Sequence, residues 1–150
     1  TAAAVDYFAW VGRDMAGASG GRRQELCAGI ELLVGYEIEL SKHLIDGLNT
    51  LPGVTVLGIT DADAMHRRVP TVVFRHERHA PATIAKALGE ENIFVWSGHN
   101  YAIEPAGALG ILESGGAVRV GPVHYNTTGE IDELIDALAR ILDQGQLAGH

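Results

Sequence analysis

A single cysteine, Cys27, excludes any intramolecular disulfide, and no apolar run approaches the roughly 18 residues that a membrane span requires. Basic residues are scarce too: 11 Lys and Arg stand against 19 Asp and Glu, a formal net charge of -8. That sign opposes what a phosphate backbone attracts, which argues against nucleic acid as a partner. The opening segment, TAAAVDYFAWVG, carries Asp6 and no leading basic group, so it does not read as a signal peptide. No repeat recurs along the chain. These absences make the cytoplasm the default expectation. What is present, 150 residues at 47% hydrophobic and 20% charged, suits one domain able to bury a core.

Helical period in Val5, Phe8, Ala9 and Val11 starts at the first residue with no capping residue before it, as in a helix cut mid-course. The expectation is a fragment; a processed or frayed end is the alternative. Gly17, Ser19, Gly20 and Gly21 make a flexible break. A long helix then spans roughly 22 to 50, its stripe carried by Leu26, Ile30, Leu33, Ile38, Leu40, Leu44, Ile45 and Leu48, until Pro52 and Gly53 stop it. Val54–Leu57 and Val69–Phe74 read as strands, with Pro70 near an edge or bulge. A helix over 81–89 capped by Gly89 follows, then a strand Ile93–Trp96, a loop over 98–116 with one helical stretch, and a strand Ala117–Val120. Thr127, Thr128, Gly129 and Glu130 fit a capping box, opening a last helix with its stripe at Ile131, Leu134, Ile135, Leu138, Ile141 and Leu142 and its end at Gly145. Strands joined by turns and helices, without strict β-α-β alternation, predict an α+β fold: a mostly antiparallel four-stranded sheet with helices on one face.

Several residues invite chemistry. His76 and His79, flanking Glu77, are three apart rather than the four that places two zinc ligands on one helix side; a solvated turn is the plainer reading, and no metal site is expected. Cys27 has Arg22 and Arg23 about a turn away, yet a buried structural cysteine is favoured over a reactive thiol. The glycines at 17, 20 and 21, and at 110, 115 and 116, lack phosphate-loop spacing and serve as hinges and turns. Ser97, Gly98, His99, Asn100 and Tyr101 sit at a strand-to-loop junction, where clefts form. Arg119 lies inside a strand, opposite in face to Val118 and Val120, and its planar fork suits a carboxylate. A salt bridge to one of the acids, or a charge on an edge strand, is the competing reading.

The run from Val118 and Arg119 through Gly121, Pro122, Val123 and His124 to Tyr125, Asn126 and Thr127, with Glu130 opening a helix, resembles the C-terminal end of class V aminotransferases, and among them the cysteine desulfurase-like proteins. Phe94 to Ala102 looks like that group's active-site loop, and Arg68, Val69, Pro70 and Thr71 like its R-x-P-T strand. The resemblance implies the small domain of a fold-type I enzyme that uses pyridoxal phosphate and acts on a small amino acid, with Arg119 gripping the α-carboxylate and His99, Asn100 and Tyr101 at the catalytic loop. It implies a homodimer. Desulfurases carry a catalytic cysteine where Tyr101 stands, and a phenol cannot accept and carry sulfur. The family's Schiff-base lysine belongs to a preceding large domain, so residues 1–20 read as the end of a helix continuing from that domain plus a hinge, and 21–150 as the C-terminal small domain. Lys42 and Lys86 fall on expected amphipathic helices outside any matching motif, so no cofactor-binding residue is expected in this segment. The other reading is a non-catalytic α+β module that kept the fold and lost the cofactor half.

Overall fold

Apolar residues three and four apart make the helices of this chain, and alternation makes its strands. The computed structural model describes residues 2–143. In chain order these form α1 (Ala2–Trp10), a π-helical turn (Val11–Met15), α2 (Arg22–Asn49), β1 (Val54–Leu57), a 3-10 turn (Ala62–Arg67), β2 (Val72–His76), α3 (Pro81–Glu90), β3 (Trp96–Gly98), α4 (Ile103–Ala108), β4 (Ala117–Val120) and α5 (Thr128–Asp143). The expected end of the last helix at Gly145 lies outside the described residues. Among those described, no helix is long and apolar enough to cross a membrane.

The strands form one antiparallel sheet in the order β1-β2-β4-β3. Val72 and Phe74 of β2 and Val118 of β4 point to one face, where Leu40, Leu44, Ile45 and Leu48 of α2, Ile84 and Leu88 of α3, and Ile131, Leu134, Leu138 and Ile141 of α5 complete a single core. Three helices thus cover one face, as the pattern predicts. The short α4 departs from it. A second cluster of Ala106, Ile111 and Ala117, packed on Leu57 and Val73, shields only part of the opposite face.

The capping box forms as read from the sequence: the Thr127 N–H donates to Glu130 Oε2 (2.7 Å) and the Glu130 N–H to Thr127 Oγ1 (3.3 Å). The Thr127 N–H, followed by the Thr127 hydroxyl donating to the same oxygen (3.1 Å), holds the Glu130 carboxyl below its ordinary range. Two strands sit later than expected. β2 begins after Pro70, which has no N–H for the ladder, and continues through His76. β3 covers Trp96–Gly98, because the ladder with β4 pairs Trp96 with Arg119 and Gly98 with Ala117; Ile93 and Val95 pack on the core before the strand begins. Gly89 lies within α3, and Asn92 (φ 61) makes the left-handed turn after it.

Two burial expectations are overturned. Cys27 is exposed on α2 rather than a buried structural residue. His76 and His79 are not in a solvated turn: they are 5% and 6% exposed, because β2 carries His76 onto the core face, where its ring nitrogens find backbone partners. Among the described residues, no group of three or more His, Cys, Asp or Glu is placed to hold a metal ion.

Candidate functional site

Arg119 stands on the face of the sheet that the three long helices leave open. Its neighbour Val118 is fully buried, so alternation sends the guanidinium to the opposite side, and the register sets Arg119 between Val73 of β2 and Trp96 of β3. Arg119 is exposed and forms no ion pair with a carboxylate among the described residues, which removes the salt bridge as its explanation. It lines an open depression of about 350 Å³ with Phe94, Val95, Trp96 and Gly121. A planar fork with free donors beside apolar walls can take a carboxylate in bidentate fashion.

The loop that follows β3 starts on the same face, at Gly98, two residues along the strand from Trp96. Three residues here have positive φ: Gly98 (117), Asn100 (53) and Tyr101 (60). The Asn100 Nδ2 donates to the Gly98 carbonyl (3.1 Å), while its Oδ1 is buried without a partner. The Tyr101 N–H donates to His99 Nδ1 (3.2 Å), so a neutral His99 ring carries its proton on Nε2. The phenol of Tyr101 is 90% exposed and meets His99 edge to face, with ring centroids 6.3 Å apart. Behind the loop lies a mostly apolar pocket of about 270 Å³ lined by Leu57, Val73, Pro105, Ala106 and Leu109 together with His99 and Asn100. Arg119, His99, Asn100 and Tyr101 therefore belong to one face of the sheet, although no hydrogen bond links Arg119 to the other three.

The connection from β4 to α5 is held by residues the sequence reading passed over. The Tyr36 hydroxyl donates to the Asn126 carbonyl (2.8 Å), and Glu37 Oε1 accepts the His124 N–H (3.2 Å) while lying 3.2 Å from His124 Nδ1. The ring of Tyr7 in α1 stacks on His124 at 5.6 Å. Asn126 Oδ1 accepts the Val123 N–H (3.0 Å), so Asn126 shapes this turn as Thr127 shapes the helix start. Tyr36 and Glu37, adjacent on α2 and away from its apolar stripe, were the available signal. Arg68 is likewise architectural: Nη1, Nη2 and Nε donate to the carbonyls of Ile59, Thr71 and Val69, and burial pulls its pKa down from the ordinary arginine value.

A class V aminotransferase model matches residues 27–134. The chain belongs to the class V aminotransferase family. An aminotransferase-like protein of Gibberella zeae is 34% identical over 113 residues, which are 75% of this chain and 28% of that protein. A cysteine desulfurase of Synechococcus elongatus is 32% identical over 120 residues, 80% of this chain and 18% of that one. The apo structure of a cysteine desulfurase from Thermococcus onnurineus superposes with a TM-score of 0.67 at 25% identity, covering 80% of this chain and 30% of that one. The chain thus spans less than a third of the length of these relatives. Its α+β fold is shared with fold-type I pyridoxal phosphate enzymes.

Class V aminotransferases use pyridoxal phosphate, and the residues of this chain do not fit the task of holding it covalently. Lys42 and Lys86 are exposed on α2 and α3, which cover the face of the sheet opposite Arg119. Neither amine can share a site with the guanidinium.

Proposed function

We propose that this class V aminotransferase chain supplies the substrate-carboxylate side of a pyridoxal phosphate enzyme that acts on an amino acid. The observation that carries the reading is Arg119: an exposed guanidinium without an acidic partner, fixed by the register of the ladder at the edge of an open depression. Pairing on both edges of β4 fixes the backbone of Arg119 and the face from which its side chain leaves. His99 and Asn100 line the neighbouring apolar pocket, and the left-handed backbone at Asn100 and Tyr101 leaves the Tyr101 phenol 90% exposed beside it. Tyr101 has no sulfur to accept, so the reading is chemistry at the amino acid rather than sulfur transfer.

In this reading the cofactor and its lysine belong to a large domain that residues 1–20 close, residues 21–150 are the small domain, and the enzyme works as a cytoplasmic homodimer. The test is Arg119→Lys in the full-length enzyme. Replacing the fork by a point charge loses one charge-assisted hydrogen bond, and the dissociation constant of an amino acid substrate rises roughly 10-fold or more. Unchanged affinity overturns the assignment.

A further inference from the structure

Trp96 and Arg119 are direct partners across the β3–β4 ladder. Directly opposite residues of an antiparallel pair share a face, with their Cβ atoms about 4.5–5.5 Å apart. The indole and the guanidinium therefore open onto the same depression, within the reach of one small molecule. Trp96 is 60% exposed and Phe94, two residues earlier, 84%. Keeping two large aromatic surfaces in water has a cost that a bound apolar group removes. Among the described residues Arg119 is the only charged side chain lining the depression, whose other walls are Phe94, Val95, Trp96 and Gly121. A carboxylate that occupies Arg119 leaves these walls no group to pair with a second charge, and a charge seated against Phe94 and Trp96 loses hydration that they do not replace.

We infer that Trp96 is a specificity-determining residue, which selects amino acids with an apolar or aromatic side chain while Arg119 holds their α-carboxylate. The inference rests on the reading of Arg119 as the carboxylate site. Charged side chains find no second partner on this wall of the site, and small ones gain little because they leave the indole wet.

Calorimetric titration of the full-length enzyme with 3-phenylpropanoate, 4-methylpentanoate, propanoate and succinate tests this. These probes share the carboxylate, differ in the remainder, and lack the amine on which turnover depends. The first two bind roughly 10-fold more tightly than the last two, the scale expected for burying an aromatic or branched group. Trp96→Ala brings 3-phenylpropanoate to the level of propanoate and leaves propanoate within about twofold of its original value. Trp96→Phe retains the preference. Because Trp96 is largely exposed, its removal opens no core cavity, and an unchanged circular dichroism spectrum confirms that the variant is folded. Arg119→Ala weakens all the probes that bind. Equal affinities in the parent enzyme, or a preference that survives Trp96→Ala, overturn the role of Trp96 and leave the carboxylate reading standing as long as Arg119→Ala weakens binding. Affinities untouched by Arg119→Ala, or no binding of any probe, overturn both.

Discussion

Gly12 and Gly29 meet backbone to backbone where the π-helical turn crosses α2. A Cβ on Gly12 would lie 1.7 Å from the Glu25 carbonyl oxygen, and one on Gly29 would lie 2.2 Å from that of Phe8. Backbone cannot swing aside as a side chain does, so a methyl group here must push the two helices apart. Gly29→Ala is expected to cost about 1–3 kcal/mol, the usual range for overpacking a close contact. The urea midpoint falls, and amide exchange over residues 2–15 accelerates as α1 loosens from α2. An unchanged midpoint together with unchanged exchange contradicts the crossing. The contact also fixes the site indirectly, because α1 carries Tyr7, which stacks on His124 in the β4–α5 connection.

The His76 ring is built to stay neutral. Nδ1 accepts the N–H groups of Arg78 (3.1 Å) and His79 (3.2 Å), so Nε2 carries the proton and donates to the Pro52 carbonyl (3.2 Å). Burial lowers its pKa from the ordinary 6.5, followed by the neighbouring His79; Arg78 adds to the fall, while the Pro52 carbonyl and Glu77 oppose it. The unfolded chain therefore binds a proton at a higher pH than the folded one does. This contribution to stability is complete above about pH 6.5, falls as pH drops toward the folded value, and is flat below it. The urea midpoint is expected to decline on acidification from about pH 7.5 to about pH 5.5, with a smaller decline in His76→Gln. Equal slopes in the two proteins exclude His76 as the source.

Arg68 joins the exit of β1 to the entry of β2 by donating from all three guanidinium nitrogens to the carbonyls of Ile59, Val69 and Thr71. Arg68→Ala strands the part-buried carbonyls of Ile59 and Thr71 and is expected to cost about 1.5–3 kcal/mol, the range for hydrogen bonds to a charged group. Arg68→Lys recovers less than half of this, since one ammonium cannot span three acceptors that a flat fork bridges. Chemical denaturation of the three proteins decides it: a lysine variant as stable as the parent means the fork is not needed.

What could be read from the sequence was what neighbouring residues determine. The span of α2, its stop at Pro52 and Gly53, strands β1 and β4, and the Thr127–Glu130 capping box all depend on spacing within a few residues and appear where expected; the α2 stripe is buried at Leu40, Leu44, Ile45 and Leu48, whereas Ile30 is exposed. Arg119 was legible because alternation alone assigns its face. The displaced strands were not, since the ladder that starts β3 at Trp96 is set by residues more than 20 positions away in β4. For the same reason His76 was misjudged: two backbone N–H groups and a carbonyl from the turn after α2 satisfy an imidazole that composition alone would leave in water. Trp96 was read as the end of a strand and as part of the Phe94–Ala102 loop, and only its pairing with Arg119 sets it beside the guanidinium. The Gly12–Gly29 contact has no local signature at all.

Tyr101 holds a left-handed backbone (φ 60) directly after Asn100 (φ 53). Asparagine adopts this region at modest cost, whereas for a tyrosine it is strained by roughly 1–2 kcal/mol. Nothing in the packing repays that strain, because the phenol is 90% exposed and touches only the edge of His99. Tyr101→Gly removes the strain but adds about 0.4–1 kcal/mol of freedom to the unfolded chain, so the net expectation is a gain of about 0.5–1 kcal/mol. Strained residues that lower stability concentrate where a site needs a group held in place. If the ring serves the substrate, the stabilised variant of the full-length enzyme turns over more slowly while its affinity for carboxylate probes at Arg119 is preserved. A variant that is more stable and equally active removes Tyr101 from the site, and a variant that is less stable shows that the loop depends on the phenol for its own structure.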